Sequence, residues 1–190
     1  MNSRDIIKIT LNLVIICVVA GVILSVVWVV TNPVRLEKKA EELRAAQKAL
    51  VPQAQNITEA EKFVSASGKE GVIYKATAGG KTVGYIIKAY AKGYSSFIEM
   101  LVAVDMDYRI IGIQILSEQE TPGLGAEMEK KWFKGQFRGK TEDHLIVIKG
   151  ETKTDIQAIS GATISSRAVT SGVKAAIDAL RVAREKDRTL

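Results

Sequence analysis

Val72-Ile73-Tyr74-Lys75-Ala76-Thr77, then Ala78-Gly79-Gly80-Lys81, then Thr82-Val83-Gly84-Tyr85-Ile86-Ile87 decides the fold. Two runs rich in β-branched and aromatic residues flank a Gly-Gly turn, which is the pattern of a β-hairpin. Two more strands follow: residues 96–104 (SFIEMLVAV) and residues 109–116 (RIIGIQIL), separated by a turn at 105–108. Consecutive short strands joined by tight turns pair antiparallel. Residues 126–133 read as helical, and residues 145–148 as a short buried strand. The last element, residues 164–184, carries Ala168, Val169, Val173, Ala176, Ile177, Leu180 and Ala183 on one stripe. That spacing predicts an amphipathic helix packed on the sheet. Lys and Arg gather at its C-terminal end, where they complement the helix dipole. The expected fold class is α+β, with a largely antiparallel sheet packed by helices.

On the N-terminal side, residues 54–70 are mixed and polar and read as a loop with a possible short helix. Residues 36–50 carry apolar side chains at helical spacing, with Glu and Lys between them, and Pro52 ends the pattern. The expectation is a juxtamembrane helix acting as a stalk. Residues 9–30 read ITLNLVIICVVAGVILSVVWVV, 22 residues without a charge. As a helix this stretch spans about 33 Å, close to the roughly 30 Å of a bilayer's hydrocarbon core. Trp28 sits near one end, where an amphipathic ring suits the lipid–water interface. A cleaved signal peptide has a shorter apolar region and a small-x-small cleavage site. Here the run is longer and Thr31-Asn32-Pro33-Val34-Arg35 follows it, so an uncleaved transmembrane anchor is expected. Arg4 and Lys8 precede the span, while Arg35, Lys38, Lys39 and Arg44 follow it. Counting these charges alone puts the C-terminal side in the cytoplasm, but long domains translocate largely regardless of charge.

Composition narrows the chemistry. The 190 residues include one Cys and one His, with 47% hydrophobic and 25% charged residues. That balance is of a folded chain, not a disordered one. Cys17 alone forms no intramolecular disulfide, and it cannot anchor a Cys-rich metal site. His144 alone excludes a multi-histidine metal site. The net charge of +6 is dispersed along the chain, without the basic block of a nucleic-acid arm. No metal and no nucleic-acid partner are expected.

Two polar, glycine-containing joints stand out. Asp155-Ile156-Gln157-Ala158-Ile159-Ser160-Gly161-Ala162-Thr163-Ile164-Ser165-Ser166 leads into the last helix. A helix N-terminus offers unpaired N–H groups and partial positive charge, and small residues let backbone approach an anion. The motif also reads simply as an N-cap, with Ser160 or Thr163 accepting a backbone hydrogen bond. It is not a P-loop, because the Gly and Lys spacing is absent. The second joint is Glu120-Thr121-Pro122-Gly123-Leu124-Gly125. It reads either as an ordinary turn or as a place where a flat ring lies against backbone.

These residues carry a resemblance. Ser160-Gly161-Ala162-Thr163-x-Ser165-Ser166, preceded by Asp155, resembles the flavinylation motif of the covalent-FMN domains. Those domains occur in the G subunit of the Rnf electron-transport complex and in the C subunit of the sodium-pumping NADH:quinone reductase. The Glu120 to Gly125 joint matches the same family's second signature. Gly93-Tyr94-Ser95-Ser96-Phe97-Ile98, followed by Leu101 to Asp105, resembles a third, with Ser96 where Gly is often found. The likeness covers roughly residues 72–184, and the short chain fits the Rnf protein better than its longer relative.

The resemblance implies that Thr163 carries FMN through a phosphoester bond, installed from FAD by a separate flavin transferase. Ser160, Gly161, Ala162, Ser165 and Ser166 would surround the phosphate. Glu120, Thr121, Gly123, Leu124 and Gly125 would line the isoalloxazine ring or its ribityl chain. Trp132 either shields the ring or belongs to the core. No residue is expected to act as a turnover catalyst. The chain would be an electron-transfer component of an ion-translocating ferredoxin:NAD oxidoreductase. Its partners would be the other membrane and peripheral subunits of that complex, and the lipid bilayer. The resemblance implies a short cytoplasmic N-terminus at 1–8, a transmembrane helix at 9–30 and a juxtamembrane helix and linker at 31–70. An extracytoplasmic FMN-binding domain would occupy 71–190. The alternatives are an extracytoplasmic flavoprotein reductase outside that complex, and a tethered binding module without a cofactor.

Overall fold

The computed structural model describes residues 3–65 and 68–188. The chain divides into two compact units, residues up to Leu43 and residues from Arg44 onward.

The first unit is most of one helix, α1, Ser3–Leu50. Its stretch from Ile7 is long and apolar enough to cross a membrane. The side chains of residues 7–31 are all exposed, and the stretch is apolar on every face. Pro33 lies inside the helix, so the apolar span and the juxtamembrane segment are one element, not two. Proline lacks the N–H that would bond the carbonyl four residues back. Just before it, the Thr31 hydroxyl donates to Val27 O at 2.7 Å.

The second unit is built on a five-stranded meander: β1 (Asn56–Val64), β2 (Glu70–Ala78), β3 (Lys81–Lys92), β4 (Phe97–Val104) and β5 (Ile110–Ser117). Spatial order equals chain order, and every neighbouring pair is antiparallel. The Gly79-Gly80 turn forms where the sequence places it, and both glycines take positive φ. The reading of residues 54–70 as a loop is corrected, because Asn56–Val64 is an edge strand. Its sequence, NITEAEKFV, hid it: the alternation is weak, and a bulge between Glu59 and Glu61 breaks the period. Charged side chains suit an edge that must not pair with another chain. Phe63 anchors the strand over Gly71, where a Cβ would lie 2.4 Å from the Phe63 ring.

One sheet face carries Ile73, Ile87, Ala89, Met100, Val102, Ile113 and Ile115 into the main core. The last helix, α3 (Thr163–Arg188), covers that face with the expected stripe. Gly172 marks the closest approach, since a Cβ there would sit 2.9 Å from Ala91 Cβ and from Met100 Cε. The last turns of α1, from Arg44, belong to the second unit. Gln47 is buried, as is Val51 just after the helix, and a Cβ on Gly112 of β5 would lie 3.2 Å from Leu50 Cδ2.

Residues 118–162 hold short elements. The expected helix at 126–133 is a 3-10 turn at Gly125–Glu129 followed by α2, Lys131–Gly135. Phe133 and Phe137 are fully buried and meet edge to face at 5.6 Å. The expected buried strand at 145–148 shrinks to β6, Val147–Ile148, half-buried and parallel to β7, Ile156–Gln157.

The 3-10 turn Glu142–His144 is pinned to α3 through Glu142, which accepts from Lys174 at 3.3 Å and Arg181 at 2.6 Å. Burial works to raise the Glu142 pKa, but the hydrogen bonds and charges of Lys174 and Arg181 outweigh it and hold the pKa below the usual value. A depressed carboxylate pKa stabilises the fold fully above the unfolded value, about 4.3 for Glu, and that contribution fades as pH falls through the folded value. Urea titrations at pH 7 and at pH 3–4 will therefore show a smaller acid loss of stability in Glu142→Gln than in the wild type. Equal losses would show that the ion pairs contribute nothing.

Candidate cofactor site

Thr163 is the first residue of α3 and is half-buried. Its side chain borders a cavity of about 540 Å³ that is also lined by Tyr94, Glu120, Thr121, Leu124, Gly125, Gly161, Ala162, Ile164 and Ser165. Three segments distant in sequence thus meet: the loop after β3, the turn after β5, and the start of α3. The first amides of a helix have no carbonyl four residues back, so the start of α3 points free donors outward.

The hydroxyls of the motif at 155–166 are not equivalent. Ser166 is fully buried, accepts from Ile159 N at 2.9 Å and donates to Ala162 O at 2.9 Å. It holds the turn together and borders neither this cavity nor the next. Ser165 donates to the Glu120 carboxylate. Ser160 is exposed and lies on a neighbouring cavity of about 410 Å³ with Gly123, Glu127 and Trp132. Of the four, Thr163 alone combines a place on the main cavity with a hydroxyl that makes no hydrogen bond among the described residues. Thr121 borders the same cavity, but from the turn after β5 and not from a helix start. Among the described residues neither the Ser160 nor the Thr163 hydroxyl accepts a backbone hydrogen bond, so the simple N-cap reading does not describe this turn.

Glycines shape the walls. Gly161 has φ +74°, which L side chains rarely adopt, and a Cβ there would come within 2.9 Å of Leu124. At Gly125 a Cβ would meet Glu120 Cβ at 2.6 Å and Ser165 Oγ at 2.8 Å. The turn therefore packs directly onto the helix start.

Glu120 is 6% exposed. Its carboxylate accepts from the amides of Tyr94 at 3.2 Å, Ser95 at 2.9 Å and Ser96 at 3.4 Å, as well as from Ser165. Burial pushes its pKa up, but Ser165 and the amides of Ser95, Tyr94 and Ser96 together hold it below the usual range.

Of the residues expected around the cofactor, Glu120, Thr121, Leu124, Gly125, Gly161, Ala162, Thr163 and Ser165 border the main cavity. Gly123 and Ser160 border the neighbouring one. Trp132 is 45% exposed, so it is not a core residue; it stacks edge-on to Phe133 and borders the second cavity. Tyr94 and Ile164 were not among the expected residues. Tyr94 belongs to the Gly93-Tyr94-Ser95-Ser96 signature, which could have marked it, whereas nothing local marks Ile164. A larger groove of about 670 Å³ runs along α3 past Phe97 and Gly172, sharing Ile164 with the main cavity. Thr163 does not line it.

A family model described as an FMN-binding domain matches residues 93–178. These residues include the whole cavity wall. The G subunit of the proton-translocating ferredoxin:NAD(+) oxidoreductase complex of Clostridium ljungdahlii is 42% identical over 93% of this chain and 92% of its own length. Its counterpart in the Na(+)-translocating complex of Acetobacterium woodii is 35% identical, again over 93% and 92% of the two chains. The crystal structure of the C subunit of the Na(+)-translocating NADH-quinone reductase from Parabacteroides distasonis shares the fold, with TM-score 0.56 and 21% identity over 75% of this chain and 92% of that one. The chain belongs to the family of G subunits of the ion-translocating ferredoxin:NAD(+) oxidoreductase, or Rnf, complexes.

Proposed function

We propose that this chain is a membrane-anchored electron-transfer protein that carries FMN on the oxygen of Thr163 within an ion-translocating ferredoxin:NAD oxidoreductase. The observation that carries the reading is the Thr163 hydroxyl, which makes no hydrogen bond among the described residues and lies at a helix N-terminus on a cavity bordered by glycine. The residues present fit the group. The first amides of α3 suit a phosphate, and Gly161 and Gly125 leave room that side chains would fill. Leu124 and Tyr94 offer apolar surface to a ring. FMN, when bound, supplies the redox chemistry, and the protein sets its position and potential.

Attachment transfers the FMN phosphoryl group from FAD to the Thr163 oxygen. The bond between the two FAD phosphates breaks, AMP leaves, and the threonine proton is lost. A separate flavin transferase is the catalyst, and Thr163 reacts once. Ser165 and Ser166 already bond within the protein, so their role is to shape the site and not to take the phosphate. The chain has no complete active site by itself and works with the other members of the complex. Intact mass of the chain purified from its host tests this. A gain of one FMN less one water, on the peptide holding Thr163, is the expected result; bare polypeptide mass would end the proposal.

The same reading anchors the chain through residues 9–30 and puts the flavin domain on the extracytoplasmic side, as the family resemblance implies. The charge count opposes this sidedness, but a domain of this length crosses largely regardless of flanking charge. Alkaline carbonate washing should leave the chain in the membrane pellet while detergent releases it. Protease added outside intact spheroplasts should digest the domain; protection there would reverse the topology.

A further inference from the structure

Among the described residues, Glu120 is the one carboxylate on the cavity that Thr163 borders. It sits in a turn, yet it is nearly inaccessible and is held by three consecutive backbone amides and a helix hydroxyl. No cation pairs with it among the described residues. The packing is made for it. A Cβ on Gly93 would fall 2.5 Å from Glu120 Oε1, and one on Gly125 2.9 Å from Oε2. A carboxylate held by hydrogen-bond donors, with no counter-charge among the described residues, leaves its negative charge uncompensated.

We propose that Glu120 is a positioning residue whose carboxylate ties residues 94–96 to the start of α3 as one cradle and, as a fixed negative charge, lowers the potential of the flavin held there. This rests on the FMN reading of Thr163. The tie follows from connectivity: one side chain bonds both the loop after β3 and Ser165 on α3. The effect on potential follows from electrostatics. Reduction adds negative charge to the flavin, and a neighbouring carboxylate opposes it.

Full-length chain, co-expressed with a flavin transferase and purified in detergent, supplies the test. Glu120→Gln keeps the shape and removes the charge, whereas Ser165→Ala keeps the charge and cuts one tie. Spectroelectrochemical titration at pH 7 should place Glu120→Gln at a more positive potential than wild type, with Ser165→Ala shifted far less. Amide hydrogen exchange at residues 94–96 should speed up about tenfold in Glu120→Gln, the loss of roughly one charged hydrogen bond. An unchanged potential in a flavin-loaded Glu120→Gln overturns the charge effect, and unchanged exchange overturns the tie. Should Glu120→Gln fail to fold, acid titration of the wild type decides. Its potential must step upward as Glu120 protonates, beyond the flavin's own slope, and Ser165→Ala must move that step to higher pH. Absence of the step overturns the proposal. The exchange measurement also works on flavin-free Thr163→Ala chain, so a chain that never carries flavin defeats the FMN reading while the tie is still judged separately.

Discussion

Thr163→Ala leaves a folded chain that carries no covalent flavin. In a denaturing gel the wild-type band fluoresces under ultraviolet light when a flavin transferase is present, and the variant band stays dark. The effect is all or none because no other hydroxyl of the motif can substitute. Ser165 and Ser166 are engaged in buried hydrogen bonds, and Ser160 opens onto the neighbouring cavity. Stability changes little, within about 0.5 kcal/mol, because the half-buried Thr163 hydroxyl makes no hydrogen bond among the described residues. Electron transfer through the assembled complex falls to background. A fluorescent Thr163→Ala band would move the attachment site elsewhere and remove the main support for the reading.

Phe133→Ala destabilises the flavin domain by about 3–5 kcal/mol, a large part of the 5–15 kcal/mol that a domain of this kind possesses. Phe133 is fully buried on α2, a helix of five residues with no side-chain cap. So short a helix has little stability of its own, and its place depends on what it buries. Phe133 meets Trp132 at 5.7 Å and Phe137 at 5.6 Å, so its removal unseats both rings and the wall of the second cavity. Urea unfolding followed by circular dichroism reads the change as a lower midpoint with an unchanged slope. A loss under 1 kcal/mol would mean that the cavity collapses around the missing ring.

The two variants separate what was legible in the chain from what was not. The contiguous motif at 155–166 marked a polar joint at the start of a strongly amphipathic helix, but its residues alone left Ser160 and Thr163 equivalent, and only the resemblance to the covalent-FMN domains pointed to Thr163. The meander from β2 to β5 was legible, since period-two patterning and a Gly-Gly turn are local signals. β1 was not: its charged sequence has little strand character, and pairing with β2 supplies its order. Nor was the parallel contact of β6 with β7, two residues long on each side, which has no pattern to read. Around Thr163 the residue types were foreseen, but their separation was not. Gly123 and Ser160 face one cavity, while Glu120, Leu124 and Gly161 face another.

Sequence by itself determined the elements and the chemistry on offer: an apolar span, an antiparallel sheet, a closing helix and a threonine among small residues. Each depends on neighbours a few positions apart, so each leaves a local trace. Only the tertiary structure decided which hydroxyl of the motif is free, which carboxylate is enclosed, and that Glu120 meets a serine 45 positions away. Such contacts form when β3, the turn after β5 and α3 pack together, and the free energy of that packing is distributed over residues that no short stretch of chain contains.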